Sequence, residues 1–334
     1  MSNSNQMIEF AKARIALKYG LLLIKASPGS VVLVPDYLCS VLRHPLIQLG
    51  LQVSTYPILD NLSPDWAELE KIQQRLSAWA LFMVHYFGQP QNTDDFRRFC
   101  DQYQLKLIED NAQGHGGKHH GQLLGTFGDI GISSPRKILN ISSGGCLYID
   151  SESATVAKAA QGALPAAAES TADFLKSVVW RSAILRNWLR ALPGINREWS
   201  DPYLFQEPEQ ADFQINPSVS DSIRLAQWDH LADLRRSAWR SWQVFCLEND
   251  LEPVFRAVYE GSCPWAFPVY ARDSAHRNRW LNWGARHGVP LFTWPALPSD
   301  EIESEGSAYS RWKRLLCFPL DVLPIKVQGV RIGL

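Results

Sequence analysis

The sequence lacks the features that would place it in several broad classes. No apolar run reaches the roughly 18 residues that a membrane span needs, so no spanning segment is expected. Its six cysteines, Cys39, Cys100, Cys146, Cys246, Cys263 and Cys317, show neither CxxC nor metal-finger spacing. That argues against a disulfide framework or a structural zinc, and for reduced, mostly buried thiols. The formal net charge is only -1, without the basic excess that phosphate backbones require, so nucleic acid is not an expected partner. The N-terminus, MSNSNQMIEFAKARIALKYG, has no basic segment followed by an apolar one, and a soluble, cytoplasmic protein is the expectation. No internal repeat or low-complexity tract is present.

What the chain does have is length and tryptophan. Its 334 residues, 46% apolar and 20% charged, exceed what one small core usually serves, so a large and a smaller domain are expected. Most of its 13 tryptophans lie after residue 175, where they would pack the second domain and an oligomer interface.

Residues 1–150 alternate helical and strand patterns. Helix is expected over 7–25, 38–50, after Pro64 and over 94–104, and strand over 30–35, 52–58, 79–87, 105–110, 129–134 and 145–150. Such alternation implies crossover units and a mostly parallel sheet covered on both faces, an α/β fold. The stretch 176–192 reads as an amphipathic helix packed on the protein with solvated arginines, and 207–221 as an irregular polar loop. One long helix is expected over 220–249, then a small α+β unit with a helix ending at Gly288. The expected division is 1–215, a large α/β domain, and 216–334, a long connecting helix with a small C-terminal α+β domain.

The densest chemistry lies in IEDNAQGHGGKHHGQLLGTFGDIGISSPRKILNISSGG, residues 108–145. Asp110 falls at the C-terminal end of a buried strand, where ligands collect in open α/β sheets. Lys137 follows another strand. A lone strand-end aspartate or loop lysine says little, but together they fit pyridoxal 5′-phosphate (PLP). That cofactor needs an amine to join its aldehyde and a carboxylate to keep its pyridine nitrogen protonated. Its phosphate needs hydroxyls and N–H groups, and Ser133 and Ser134 stand beside the lysine.

The segment resembles the core motif of the DegT/StrS family of PLP-dependent sugar aminotransferases, of fold type I. The matching stretches are IEDNAQGHGG (108–117), LLGTFGDIGI (123–132) and SSPRK…GG (133–145), the last like the family's S-x-R-K subgroup. ARIAL (13–17), VLVPDYLC (32–39), VHYFGQP (84–90), NPSVSD (216–221), FTWPALP (292–298) and RLLCFPLD (314–321) resemble further family segments in order. The resemblance implies that Lys137 is the catalytic lysine and Asp110 the pyridinium partner. It places Gln113 against the cofactor ring, Cys39 over it, and Ser134, with Ser133 as substitute, on the phosphate, which Arg14 also approaches. It implies a homodimer in which Asn216 reaches the neighbouring subunit's phosphate. The implied reaction passes an amino group from glutamate to a nucleotide-linked keto-sugar in polysaccharide or glycan biosynthesis.

Departures from the pattern are Ala13 for a glycine, Ser143 for an acidic residue before Gly144-Gly145, Ser218 and Val219 after Asn216, and Cys39 for an aromatic. They motivate one alternative, a catalytically altered PLP-binding or regulatory protein. The family's sugar dehydratases carry histidine at the lysine position, so Lys137 argues against that reaction. His119-His120 is expected at a hairpin tip, not on a metal, because adjacent side chains diverge and no third ligand is near. A dinucleotide fold is disfavoured, since no GxGxxG occupies the first strand-to-helix turn. His85 is expected to be a satisfied core histidine, and Arg235-Arg236 a solvated helix face.

Overall fold

The computed structural model describes residues 5–166, 203 and 211–324. The stretch 176–192, the start of the 207–221 loop and the tail beyond 324 lie outside the described residues.

The elements run β1 (Gln6–Phe10), α1 (Ala13–Leu23), β2 (Val31–Pro35), α2 (Arg43–Gln48), β3 (Gln52–Tyr56), α3 (Trp66–Leu76), β4 (Ala80–Val84), α4 (Thr93–Tyr103) and β5 (Lys106–Asn111). A small hairpin, β6 (Lys118–His119) and β7 (Gln122–Leu123), precedes β8 (Ile130–Ser133), β9 (Gly145–Ile149) and α5 (Ser151–Gly162). The C-terminal part carries α6 (Pro217–Leu225), α7 (Trp228–Leu247), β10 (Glu252–Pro253), β11 (Ala266–Tyr270), α8 (Ser274–His287), α9 (Ser299–Glu303), α10 (Ser307–Trp312) and β12 (Leu315–Pro319).

Seven strands form one sheet in the order β1-β9-β8-β5-β4-β2-β3. The pairings of β2 with β3 and β4, of β4 with β5, and of β5 with β8 are parallel, while β9 runs against both its neighbours. The expected α/β class is therefore borne out. Strands β4 and β9 are buried at every position, as helices on both faces of a parallel sheet require. A three-stranded antiparallel sheet, β10-β11-β12, lies in the C-terminal part. There Trp239, Trp242, Trp280 and Trp283 pack with Phe267 and Phe318 in a second cluster of buried residues.

Two expected helices are corrected. Residues 7–25 are not one helix: Gln6–Phe10 is a strand, with Ile8 and Phe10 buried on alternate positions around Glu9. It pairs antiparallel with β9, some 140 residues away, and that distant partner outweighs local helical spacing. The helix expected over 220–249 is broken at Ala226, whose φ of -66° and ψ of 135° are extended. The break turns Trp228 so that its indole N–H donates to the Ile223 carbonyl at 3.1 Å. Its ring meets His115 edge-on at 4.3 Å.

Candidate active site

The parallel strands deliver their C-terminal ends to one place. Asp110 sits one residue from the end of β5, in register with Val84 of β4 and Ile132 of β8. Its neighbour Glu109 projects to the opposite face of the sheet, as alternation along a strand demands. There its Oε1 accepts from Gly125 N–H and its Oε2 from Phe127 and Gly128 N–H, at 2.6–3.0 Å. One strand thus gives two buried carboxylates separate roles: Glu109 anchors the 125–128 loop, and Asp110 faces the site.

Asp110 is 3% exposed, and its Oδ1 accepts from Ala112 N–H at 2.7 Å. Burial pushes its carboxyl above the usual carboxylate range, while the Ala112 bond and then the charge of Lys137 pull it back. Lys137 closes a single 3-10 turn, Pro135–Lys137, directly after β8. Pro135 suits the first position of that turn, where its fixed φ is helical and its missing N–H leaves no bond unmade. Aspartate and lysine, 27 positions apart in sequence, therefore share one site.

Gln113, 3% exposed, accepts from Phe87 N–H at 2.7 Å through Oε1. Ser134 is the residue before the 3-10 turn, and its hydroxyl makes one long bond, 3.4 Å, to the Gly144 carbonyl. Gly144 N–H in turn donates to Ala11 O at 2.7 Å, tying this loop to the start of α1. Gly144 has a φ of 126°, and a Cβ on Gly145 would lie 2.2 Å from Ala13 N, so the pair lets β9 touch the first turn of α1. Arg14 is buried in that turn, which no side chain of Lys12 caps.

Three further expected residues have partners or settings of their own. The Ser133 hydroxyl bonds His115 Nδ1 at 2.7 Å and the Tyr148 hydroxyl at 3.1 Å. Cys39 is half-buried where the chain leaves β2, and its neighbour Ser40 donates N–H to Ala296 O at 2.9 Å. Asn216 caps α6: its Oδ1 accepts from Ser218 N–H at 2.9 Å and the Ser218 hydroxyl at 2.8 Å.

The aromatic faces at Lys137 come from residues that sequence reasoning did not single out. The Lys137 Nζ lies 4.6 Å from the Trp265 ring centre and 5.9 Å from that of Trp294. Phe87 stacks on Trp265 at 6.2 Å and 8°, and its carbonyl accepts from Trp265 N–H at 3.2 Å. Arg235 is not solvated as expected. Its guanidinium donates to the carbonyls of Pro264 and Trp265, both at 2.6 Å, and Arg236 donates to Ser262 O at 2.6 Å. An indole directly before the fully buried strand β11 was the available signal.

His85 is a satisfied core histidine, bonded at both ring nitrogens. His119 and His120 flank the hairpin tip, but their rings lie 4.1 Å apart and do not diverge. Among the described residues no group of three metal-ligating side chains occurs, and no helix is long and apolar enough to cross a membrane.

The donor set fits PLP: an amine, a buried strand-end carboxylate facing it, and a hydroxyl beside an uncapped helix start. A partner N–H at Asp110 would favour the charged form that burial disfavours.

The chain is similar to several known proteins. The lipopolysaccharide biosynthesis protein RfbH of Salmonella typhimurium is 38% identical over 74 residues, which are 22% of this chain and 17% of that protein. GDP-perosamine synthase of Vibrio cholerae is 25% identical over 144 residues, 41% of this chain and 38% of that protein. The chain thus matches well under half the length of these relatives. Among solved structures, Helicobacter pylori PseC, an aminotransferase of pseudoaminic acid biosynthesis, superposes with a TM-score of 0.69 at 15% identity. That superposition covers 98% of this chain and 85% of PseC, and it shows a shared fold. The model of the DegT/DnrJ/EryC1/StrS aminotransferase family matches residues 3–163, and over that stretch the chain is similar to this family.

Proposed function

We propose that the chain is a PLP-dependent aminotransferase that passes an amino group from glutamate to a nucleotide-linked keto-sugar. The observation that carries this reading is the meeting of Lys137 and Asp110 at one strand-end site, where the lysine's charge acts on the buried carboxyl. The sugar substrate class is supported by the relatives, one of which is a GDP-perosamine synthase.

PLP, when bound, supplies an electron sink for the bond-breaking at the donor's α-carbon. Lys137 would hold the cofactor through its amine and would serve as the group that moves a proton at the donor's α-carbon. Asp110 keeps the pyridine nitrogen protonated. Gln113, fixed by Phe87 N–H, and Cys39 would contact the cofactor ring. The Ser134 hydroxyl and the first turn of α1, including Arg14, hold the phosphate. In a homodimer Asn216 serves the partner's phosphate through its amide N–H groups, since its oxygen already caps α6. Residues 1–215 are the large unit and 216–334 the second.

The test is the visible spectrum of the protein reconstituted with PLP. A yellow band that glutamate bleaches is expected, and a band that persists in Lys137→Ala would overturn the role of Lys137. The observation favouring an altered PLP-binding protein is that Ser143 and Ala13 lie beside the Gly144–α1 junction. A band that glutamate leaves unchanged would establish that reading.

A further inference from the structure

Trp265 has a place in the site that the reading above does not use. Its indole is half-buried, with the Lys137 Nζ 4.6 Å from its ring centre. It is gripped from several directions: Phe87 stacks on it, Trp294 meets it edge-on at 6.3 Å, and Phe292 lies 5.0 Å away. Its backbone is pinned by Arg235 from α7 and by Phe87 O. A ring held this firmly cannot turn its face from the lysine without breaking those contacts. An aromatic face attracts an ammonium and not a neutral amine, more so where water is excluded.

We propose that Trp265 is a positioning residue that holds the Lys137 amine in its charged form at a fixed point, with Arg235 fixing the indole. The charge of Asp110 couples to this lysine and favours the same form, and the exposed Arg136 is its neighbour in sequence. Arg235 stands behind the Pro264–Trp265 backbone. The importance of the device rests on Lys137 being the cofactor's lysine, but its test does not.

The experiment uses cofactor-free protein, checked for fold by circular dichroism. Lysine amines are labelled competitively with isotopic acetic anhydride across the alkaline range, and the Lys137 peptide is followed by mass spectrometry. Trp265→Leu, which fills the space without a π face, is expected to lower the Lys137 titration midpoint by about half a unit to one and a half units. Trp265→Phe should lie between it and the wild type. Arg235→Met, which frees the indole from outside the pocket, should move the midpoint the same way and carries the test alone if Trp265→Leu does not fold.

A midpoint unchanged or raised in the folded variants overturns the proposal. So does a Phe variant that falls as far as the Leu variant. A protein that never takes up PLP but shows the lowered midpoint would defeat the proposed function and leave this inference standing.

Discussion

His85 and Glu109 meet through a 2.8 Å hydrogen bond where neither side chain reaches solvent. Gln91 N–H donates to the other ring nitrogen, so Nε2 carries the hydrogen and donates to the carboxylate. Glu109 thereby collects four donors, three of them backbone N–H groups of the 125–128 loop. Glu109→Gln would set an amide NH₂ against those donors and leave buried groups unpaired. A loss of about 3–5 kcal/mol in folding stability is expected, read from the urea midpoint. A loss under about 1 kcal/mol would mean the loop is held by something else.

Stability should fall in mild acid because of His115. Burial lowers its pKa to about 3, against 6.5 in the unfolded chain. Between those values the unfolded chain takes up a proton that the fold refuses. The His115 contribution is therefore intact above about 6.5 and is lost as the pH falls toward 3. The slope is roughly 1.4 kcal/mol per pH unit. His115→Asn, which cannot titrate, should flatten the dependence of the urea midpoint on pH in this window. Parallel curves for the two proteins would contradict the assignment.

Asp110 should show stability opposed to function. Its carboxyl is raised by burial first, so its stabilising influence is present below the unfolded pKa and lost as pH rises through the folded one. At neutral pH, Asp110→Asn keeps the acceptor for Ala112 N–H and removes a buried charge. The cofactor-free variant is expected to unfold at higher urea than the wild type. Its half-reaction with glutamate, followed by loss of the visible band, should slow by roughly a hundredfold or more. A variant as fast as the wild type would remove Asp110 from the chemistry.

Gly114 is a position with no room. A Cβ there would stand 2.5 Å from Asn111 Oδ1 and 2.7 Å from Gly88 Cα. Gly114→Ala should cost about 1–3 kcal/mol and disturb the neighbouring Gln113, weakening PLP uptake in a spectral titration. Unchanged stability together with unchanged uptake would show that the 111–114 turn yields freely.

Most strands of the fold's first half were readable because they are short, rich in apolar or β-branched residues and bounded by turns. Asp110 and Lys137 were readable because both sit within one 38-residue segment whose order resembles a known family. What escaped notice depended on distant contacts. β1 is a strand because β9 pairs with it, and the 220–249 helix breaks because Trp228 has His115 to pack on. Arg235 and Arg236 looked solvated because the carbonyls they hold, 262–265, lie some 26–30 residues ahead. Trp265 looked like core filling, since nothing local links it to a lysine 128 positions earlier.

The helix α7 begins with Trp228 against His115 and, two turns on, offers Arg235 to the backbone of Trp265. It thus brackets the lysine's surroundings from a part of the chain well past residue 163, where the family match ends. The most family-like stretch is consequently not a transplantable cassette. A chimera grafting residues 1–163 onto a relative's C-terminal half would inherit the lysine and the aspartate but not the indole that faces the lysine. Swaps intended to change substrate would have to carry α7 and the 262–265 segment along.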